Sequence, residues 1–240
     1  IFPHMTQRLE KKWEPRDAEG EIYKDVFLED IDFSSKNWMI LTRTNKRLEP
    51  VAEHLYEIGI RFKSKLNTLL PDDLLNAYRV WDRLNKGATV SKDDAKDLYN
   101  YLSSQKGNVA HGFSSGNTLD KIDSVDMEEL RASHGLRAAG SWEQLHISEA
   151  SKLYMKTLLN SGDDLMSEPR IKISTIHSVK GEECDNVVLY TDLEKIIYDS
   201  AQRDADPEHR TFFVGITRTK ESLYLIQPSS EYYYNIGDPI

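Results

Sequence analysis

Ile171-Lys-Ile-Ser-Thr-Ile-His-Ser-Val-Lys-Gly-Glu-Glu-Cys-Asp-Asn-Val-Val-Leu-Tyr190 decides the architecture. Ile171–Ile176 alternates apolar with polar residues and reads as a strand, and Asn186–Tyr190 reads as a short buried strand. A polar loop from His177 to Glu183 joins them. Downstream, Pro207–Thr217 has helical spacing and Ser222–Ile226 reads as a closing strand. Working back toward the start, Asn37–Thr44 contains the continuous apolar run Trp38-Met-Ile-Leu41, which suits a strand covered on both faces of a parallel sheet. Val51, Leu55 and Ile58 then share one helical face, Gly59 is a stop signal, and Ile60–Lys65 reads as another strand. Tyr23–Leu28 is a further candidate strand. Strand, helix, strand is the unit of an α/β sheet.

The middle of the chain has a different character. Pro71–Lys86 reads as a helix with Leu74, Tyr78 and Trp81 in a stripe, and Ser91–Ser103 as another with Ser91 as N-cap. Residues 104–118 read as a loop, and a weaker helix covers about Ser124–Ser133. Ser141 with Gln144 resembles a capping box opening a helical region to Leu159, with Leu153, Tyr154 and Leu158 inward. The expected organisation is a parallel-sheet α/β domain in two parts, 1–65 and 168–240, interrupted by an all-helical insertion at 66–167.

Composition narrows the function. The 240 residues are 30% charged with a net charge of −9, and no segment is basic overall, which argues against sequence-independent grip on duplex DNA. Arg61, Lys63 and Lys65 alternate, which on a strand would put three cations on one face. That face fits either a nucleic-acid groove or a lysine-guarded sheet edge. Cys184 is the single cysteine, which fits a reducing cytoplasm and excludes an internal disulfide. No apolar run is long enough to span a membrane, and no secretory leader opens the chain. The first residue is Ile1, as in a processed product or a fragment.

Ligands of parallel α/β sheets bind beyond the carboxyl ends of strands, where Arg43 and the His177–Glu183 loop are expected. An arginine at a helix end, as Arg218 is expected to be, suits contact with a phosphate across a cleft. His177 has no second histidine or cysteine at ligand spacing, so no metal site is expected. Gly112-Phe-Ser-Ser-Gly116 fits G-x-S-x-G, the hydrolase nucleophile elbow, but neither the buried strand before it nor the helix after it is legible.

Three segments together resemble motifs IV, V and VI of UvrD/Rep-like superfamily 1 helicases. Arg43-Thr-Asn45 after an apolar strand is similar to motif IV, and Thr175, His177, Lys180, Gly181 and Glu183 fall in register with motif V, T-x-H-x-x-K-G-L-E-F. His209, Arg210, Phe213, Val214, Thr217, Arg218 and Lys220 fall in register with motif VI. The resemblance implies the second RecA-like domain of a DNA helicase, whose helical subdomain is inserted at this point. It implies Arg218 and Arg43 on the γ-phosphate of ATP, and Glu183 on the ribose beside Gly181. It implies Thr175 and His177 on single-stranded DNA, with Lys63 and Lys65 joining them if the basic strand lines the groove. No G-x-x-x-x-G-K-[ST] loop and no strand ending in paired acids occurs in the chain. ATP and Mg²⁺ would therefore be held mainly by an N-terminal RecA-like domain of the same protein, and this chain alone would be inactive. A monomer working inside the cell is the expectation. The alternative is a non-catalytic module that keeps the fold and binds nucleic acid or a partner.

Overall fold

The structure, a computed structural model, describes residues 19–66, 68–113 and 116–237. In chain order, β1 (Glu21–Val26), β2 (Trp38–Thr42), α1 (Leu48–Glu57) and β3 (Phe62–Lys63) come first. Next are α2 (Asp72–Asn85), β4 (Val90–Ser91), α3 (Lys92–Tyr99), β5 (Ser124–Val125), α4 (Met127–Ser133) and α5 (Glu149–Asn160). β6 (Ile171–Thr175), β7 (Cys184–Tyr190), α6 (Lys195–Ala201), α7 (Asp206–Ile216) and β8 (Thr219–Ile226) follow. The chain divides into two compact units. One is formed by the segments up to Lys65 and from Pro169 onward, the other by Leu66–Glu168.

The first unit is a six-stranded sheet in the order β1-β8-β7-β2-β6-β3, and all its pairings are parallel. β2 occupies the interior because all five of its residues are apolar or small enough to bury, and all five are buried. Leu48, Val51, Ala52 and Leu55 form the buried face of α1, with Pro50 in the first turn, where its missing N–H costs no hydrogen bond. Gly59, at φ +67°, takes the left-handed conformation that ends the helix. β3 is only two residues long. α7 covers one face of the sheet, where Phe212 packs with Leu41, Val187, Leu189 and Tyr234. α6 escapes a periodicity reading because it has no apolar stripe: Ile196 is 79% exposed.

The second unit departs from the expected all-helical insertion. β4 and β5 form an antiparallel pair, with Val90 opposite Val125, both buried. Part of the stretch expected as helix from Ser124 is therefore strand, and α4 starts only after Asp126 accepts from the Glu129 N–H at 2.9 Å. The capping box expected at Ser141 also fails. Ser141 precedes a one-turn 3₁₀ segment and makes no capping bond, and its hydroxyl donates instead to Glu143. α5 is capped by Ser148, whose Oγ accepts from the Ser151 N–H at 3.0 Å. This start turns Tyr154, Met155 and Leu158 inward and leaves Leu153, expected inward, 69% exposed. No helix among the described residues is long and apolar enough to cross a membrane.

The two serines differ in their expected effect on stability. Ser148→Ala should lower it by about 1 kcal/mol through loss of the cap. Ser141→Ala should stay within about 0.5 kcal/mol of the parent. Urea unfolding followed by circular dichroism distinguishes them, and equal losses would remove Ser148 as the cap.

Candidate functional site

Because the strands all run one way, the sheet has a carboxyl edge and an amino edge, and the residues singled out in the sequence divide between them. Thr42 is in register with Thr175, so Arg43 and the turn after Thr175 emerge side by side at the carboxyl edge. Arg43 is not free there. Its Nε and Nη2 donate to the two carboxylate oxygens of Glu208 at 2.7 and 2.9 Å, and both side chains are largely buried. Glu208 lies in the first turn of α7, where a carboxylate is also favoured by the helix N-terminus. The Thr44 hydroxyl donates to Glu194 at 2.6 Å. Arg47 reaches the Leu193 carbonyl at 3.0 Å and the buried carboxylate of Asp192. Glu208, Glu194, Asp192 and Arg47 were not singled out in the sequence. Glu208 could have been, as an acid one residue after Pro207 at a helix start.

Thr175 ends β6, and its hydroxyl lies 2.9 Å from that of Ser178 across a one-turn 3₁₀ segment, Ile176–Val179. His177 is exposed on that segment. Its pKa is lowered, first by partial burial and then by the positive charge of Arg43, against a smaller raising effect of Glu208. Thr175, His177 and Arg43 thus form one polar cluster at the carboxyl edge.

The amino edge holds a second cluster. Arg218 sits between α7 and β8, and its backbone carbonyl accepts from the Cys184 N–H at the start of β7. Its Nε donates to the Val214 carbonyl at 3.0 Å, its Nη1 to the Glu182 carbonyl at 2.8 Å and its Nη2 to the Thr217 hydroxyl at 3.0 Å. All three acceptors are neutral. Among the described residues Arg218 has no carboxylate partner, so its charge stands uncompensated. Gly181, at φ +90°, turns the chain toward this edge, and a Cβ added there would meet nothing within 4 Å. Glu183 is exposed and, among the described residues, unpaired, whereas the neighbouring Glu182 is occupied by Lys172.

The structure therefore does not bring Arg43 and Arg218 together, contrary to expectation. Trp38, Asn186 and Ser222 stand at one level of the sheet. Arg43 lies beyond that level and Arg218 before it, at opposite ends of their strands. The expected three-cation strand face is also corrected. β3 is too short to carry it, Arg61 is buried, and only Lys63 and Lys65 are exposed. Lys63 is in register with Lys172, three residues short of Thr175, or about 10 Å along the strand. His209 is buried with its Nδ1 2.8 Å from the Tyr234 hydroxyl, and Arg210 pairs with Asp206. Ser114 and Ser115 of the G-x-S-x-G stretch lie outside the described residues. Among the described residues no group of three or more histidine, cysteine or acidic side chains is placed to hold a metal ion.

A parallel sheet of this kind, with α7 leading into β8 and a polar turn after β6, defines a RecA-like domain. Residues 128–230 match the UvrD-like helicase C-terminal domain, a span holding Thr175, His177, Glu183 and Arg218. Over that span, a little under half of the chain, the sequence is similar to the UvrD-like helicase C-terminal domain. No curated protein matches the chain.

The electrostatic description of His177 has a signed consequence. Arg43→Gln should raise its pKa toward the ordinary value, and Glu208→Gln should lower it further. Folding depresses this pKa, so the residue's contribution to stability is full above its unfolded pKa and is lost as pH falls through the folded one. A proton NMR titration of the imidazole measures the shifts; movement of both variants in the same direction would contradict the arrangement.

Proposed function

We propose that this domain is the second motor domain of an ATP-dependent DNA helicase or translocase, with its nucleotide half-site at the amino edge and its single-stranded DNA contact at the carboxyl edge. The observation that carries this reading is Arg218. Three neutral oxygens hold it in place, and among the described residues no carboxylate neutralises it. A guanidinium so positioned retains its charge for an arriving anion, here the triphosphate of ATP. The unpaired Glu183 carboxylate beside it suits the ribose hydroxyls, and the open turn at Gly181 leaves room for the nucleotide. ATP supplies the phosphoryl group, and Mg²⁺ neutralises its charge when both are bound. The residues that cradle them belong to an N-terminal RecA-like domain of the same protein, since this chain has no phosphate loop.

Arg43 is assigned no phosphate in this reading, because Glu208 already compensates its charge. At the carboxyl edge, Thr175 and His177 offer hydrogen-bond donors to phosphodiester oxygens without reading bases. Lys63, the last residue of β3, and Lys65, just beyond that strand, add charge.

With the chain joined to its N-terminal motor domain, Arg218→Ala should reduce ATP turnover by at least about 10³-fold. The nucleotide-free affinity for an oligonucleotide should stay within about threefold. Steady-state hydrolysis and fluorescence anisotropy provide the two readings. Retention of more than about a tenth of the turnover would remove Arg218 from the phosphate, since one decade is only about 1.4 kcal/mol.

Thr175→Ala/His177→Ala should weaken binding of single-stranded oligonucleotides about equally for all base sequences. The salt slope should hardly change, because a neutral donor releases few counterions, whereas each lost lysine contact reduces it by about 0.7. Salt titrations of two oligonucleotides of unrelated sequence test this. Unchanged affinity would move the DNA contact elsewhere.

A further inference from the structure

We infer that Thr217 is a positioning residue: its hydroxyl fixes the direction of the Arg218 guanidinium and so decides which of its N–H groups are left for phosphate. The inference rests on the assignment of Arg218 to the triphosphate given above.

The backbone at Arg218 is held from both sides. Its N–H donates to the Gly215 carbonyl at 3.2 Å, and its own carbonyl accepts from the Cys184 N–H at 2.9 Å. The freedom that remains lies in the long side chain. A helix end leaves its last carbonyls short of partners, and those oxygens carry the negative end of the helix dipole. Val214 lies in the last turn of α7, and its carbonyl accepts from Arg218 Nε at 3.0 Å. Thr217, which closes α7, adds a second hold. Its hydroxyl donates back to the helix, with the Phe213 carbonyl at 2.9 Å and the Val214 carbonyl at 3.1 Å. Bonding to a carbonyl three or four residues earlier is a rotamer that threonine favours on a helix. The single hydroxyl proton is thereby spent, and the oxygen faces the arginine with lone pairs only. It accepts from Arg218 Nη2 at 3.0 Å.

A guanidinium has five N–H groups. Among the described residues, Val214 takes the one on Nε, Glu182 takes one on Nη1, and Thr217 takes one on Nη2. Two are left, one on each terminal nitrogen. A phosphate cannot then approach from the Nε side, and the approach through both terminal nitrogens stays open. Donors that are aimed before the charge develops need no rearrangement when it does. Without the Thr217 oxygen, the Nη2 end of the group loses its fixed neighbour and the aim is lost. Thr217 acts only through Arg218.

The test uses the chain joined to its N-terminal motor domain and reads steady-state ATP hydrolysis. Thr217→Val keeps the branched shape and removes the oxygen. It should lower kcat by about 10- to 100-fold, the scale of a misplaced reacting group. The KM for ATP should move by less than about threefold, as for an interaction made chiefly in the transition state. Thr217→Ser keeps the oxygen and loses the methyl group, and should hold kcat within about threefold of the parent. A packing role for Thr217 would reverse that order, with valine tolerated and serine impaired. In an Arg218→Ala background, Thr217→Val should cause no further loss, because the two residues act as one unit. The positioning role is overturned by parent-like turnover in Thr217→Val, by a serine variant as slow as the valine one, or by a further loss in the Arg218→Ala background. If Arg218→Ala is slow while Thr217→Val is not, the functional reading stands without this inference. If Arg218→Ala keeps parental turnover, both fall.

Discussion

The parallel register of the sheet governs everything else in the first unit. Each strand starts at one edge and ends at the other, so a residue's place before or after its strand decides which edge it serves. Thr175 ends its strand and Arg43 follows its own, while Glu183 and Arg218 precede theirs. Two chemically similar arginines are thereby sent to opposite ends of the fold, although β2 and β8 are separated only by β7.

The two arginines also differ in charge balance. Arg43 has a carboxylate partner in a site where water is mostly excluded, so its positive charge is internally compensated. Arg218 is oriented by neutral oxygens, which fix its direction without cancelling its field. Orientation without neutralisation is the property expected of a group that meets its counterion on another body, and it costs less here because Arg218 is only half-buried.

Much of the α/β unit was legible because burial leaves a direct mark on sequence. An apolar run such as Trp38–Leu41 belongs in the middle of a sheet, and Gly59 can end a helix in a conformation that other residues avoid. Features decided by competition between equivalent candidates were not legible. Ser141 and Ser148 both offer a hydroxyl before a helical stretch, and only packing selects the one that turns Tyr154 and Leu158 inward. The Val90–Val125 pair is too short to show a period. At the site, the short motifs marked out Thr175, His177, Glu183 and Arg218 as a set, but strings of residue types do not carry strand direction. The separation of Arg43 from Arg218, and the part played by Glu208, became visible only once the strands were in register.

The interruption of the sheet by Leu66–Glu168 has a consequence for the order of assembly. β2 is buried on both faces, yet its two hydrogen-bonded neighbours, β6 and β7, are both encoded after the inserted unit. At about 5–20 residues per second, translation of the stretch between Thr42 and Ile171 takes roughly 6–26 s. Throughout that interval Trp38-Met-Ile-Leu-Thr42 exists as an apolar segment without its sheet partners. The inserted unit carries its own core and can collapse while the ribosome is still working. The nascent chain therefore passes through a stage in which a finished module follows an unfinished, aggregation-prone strand, and holdase chaperones would find their target at the amino-terminal side of that module.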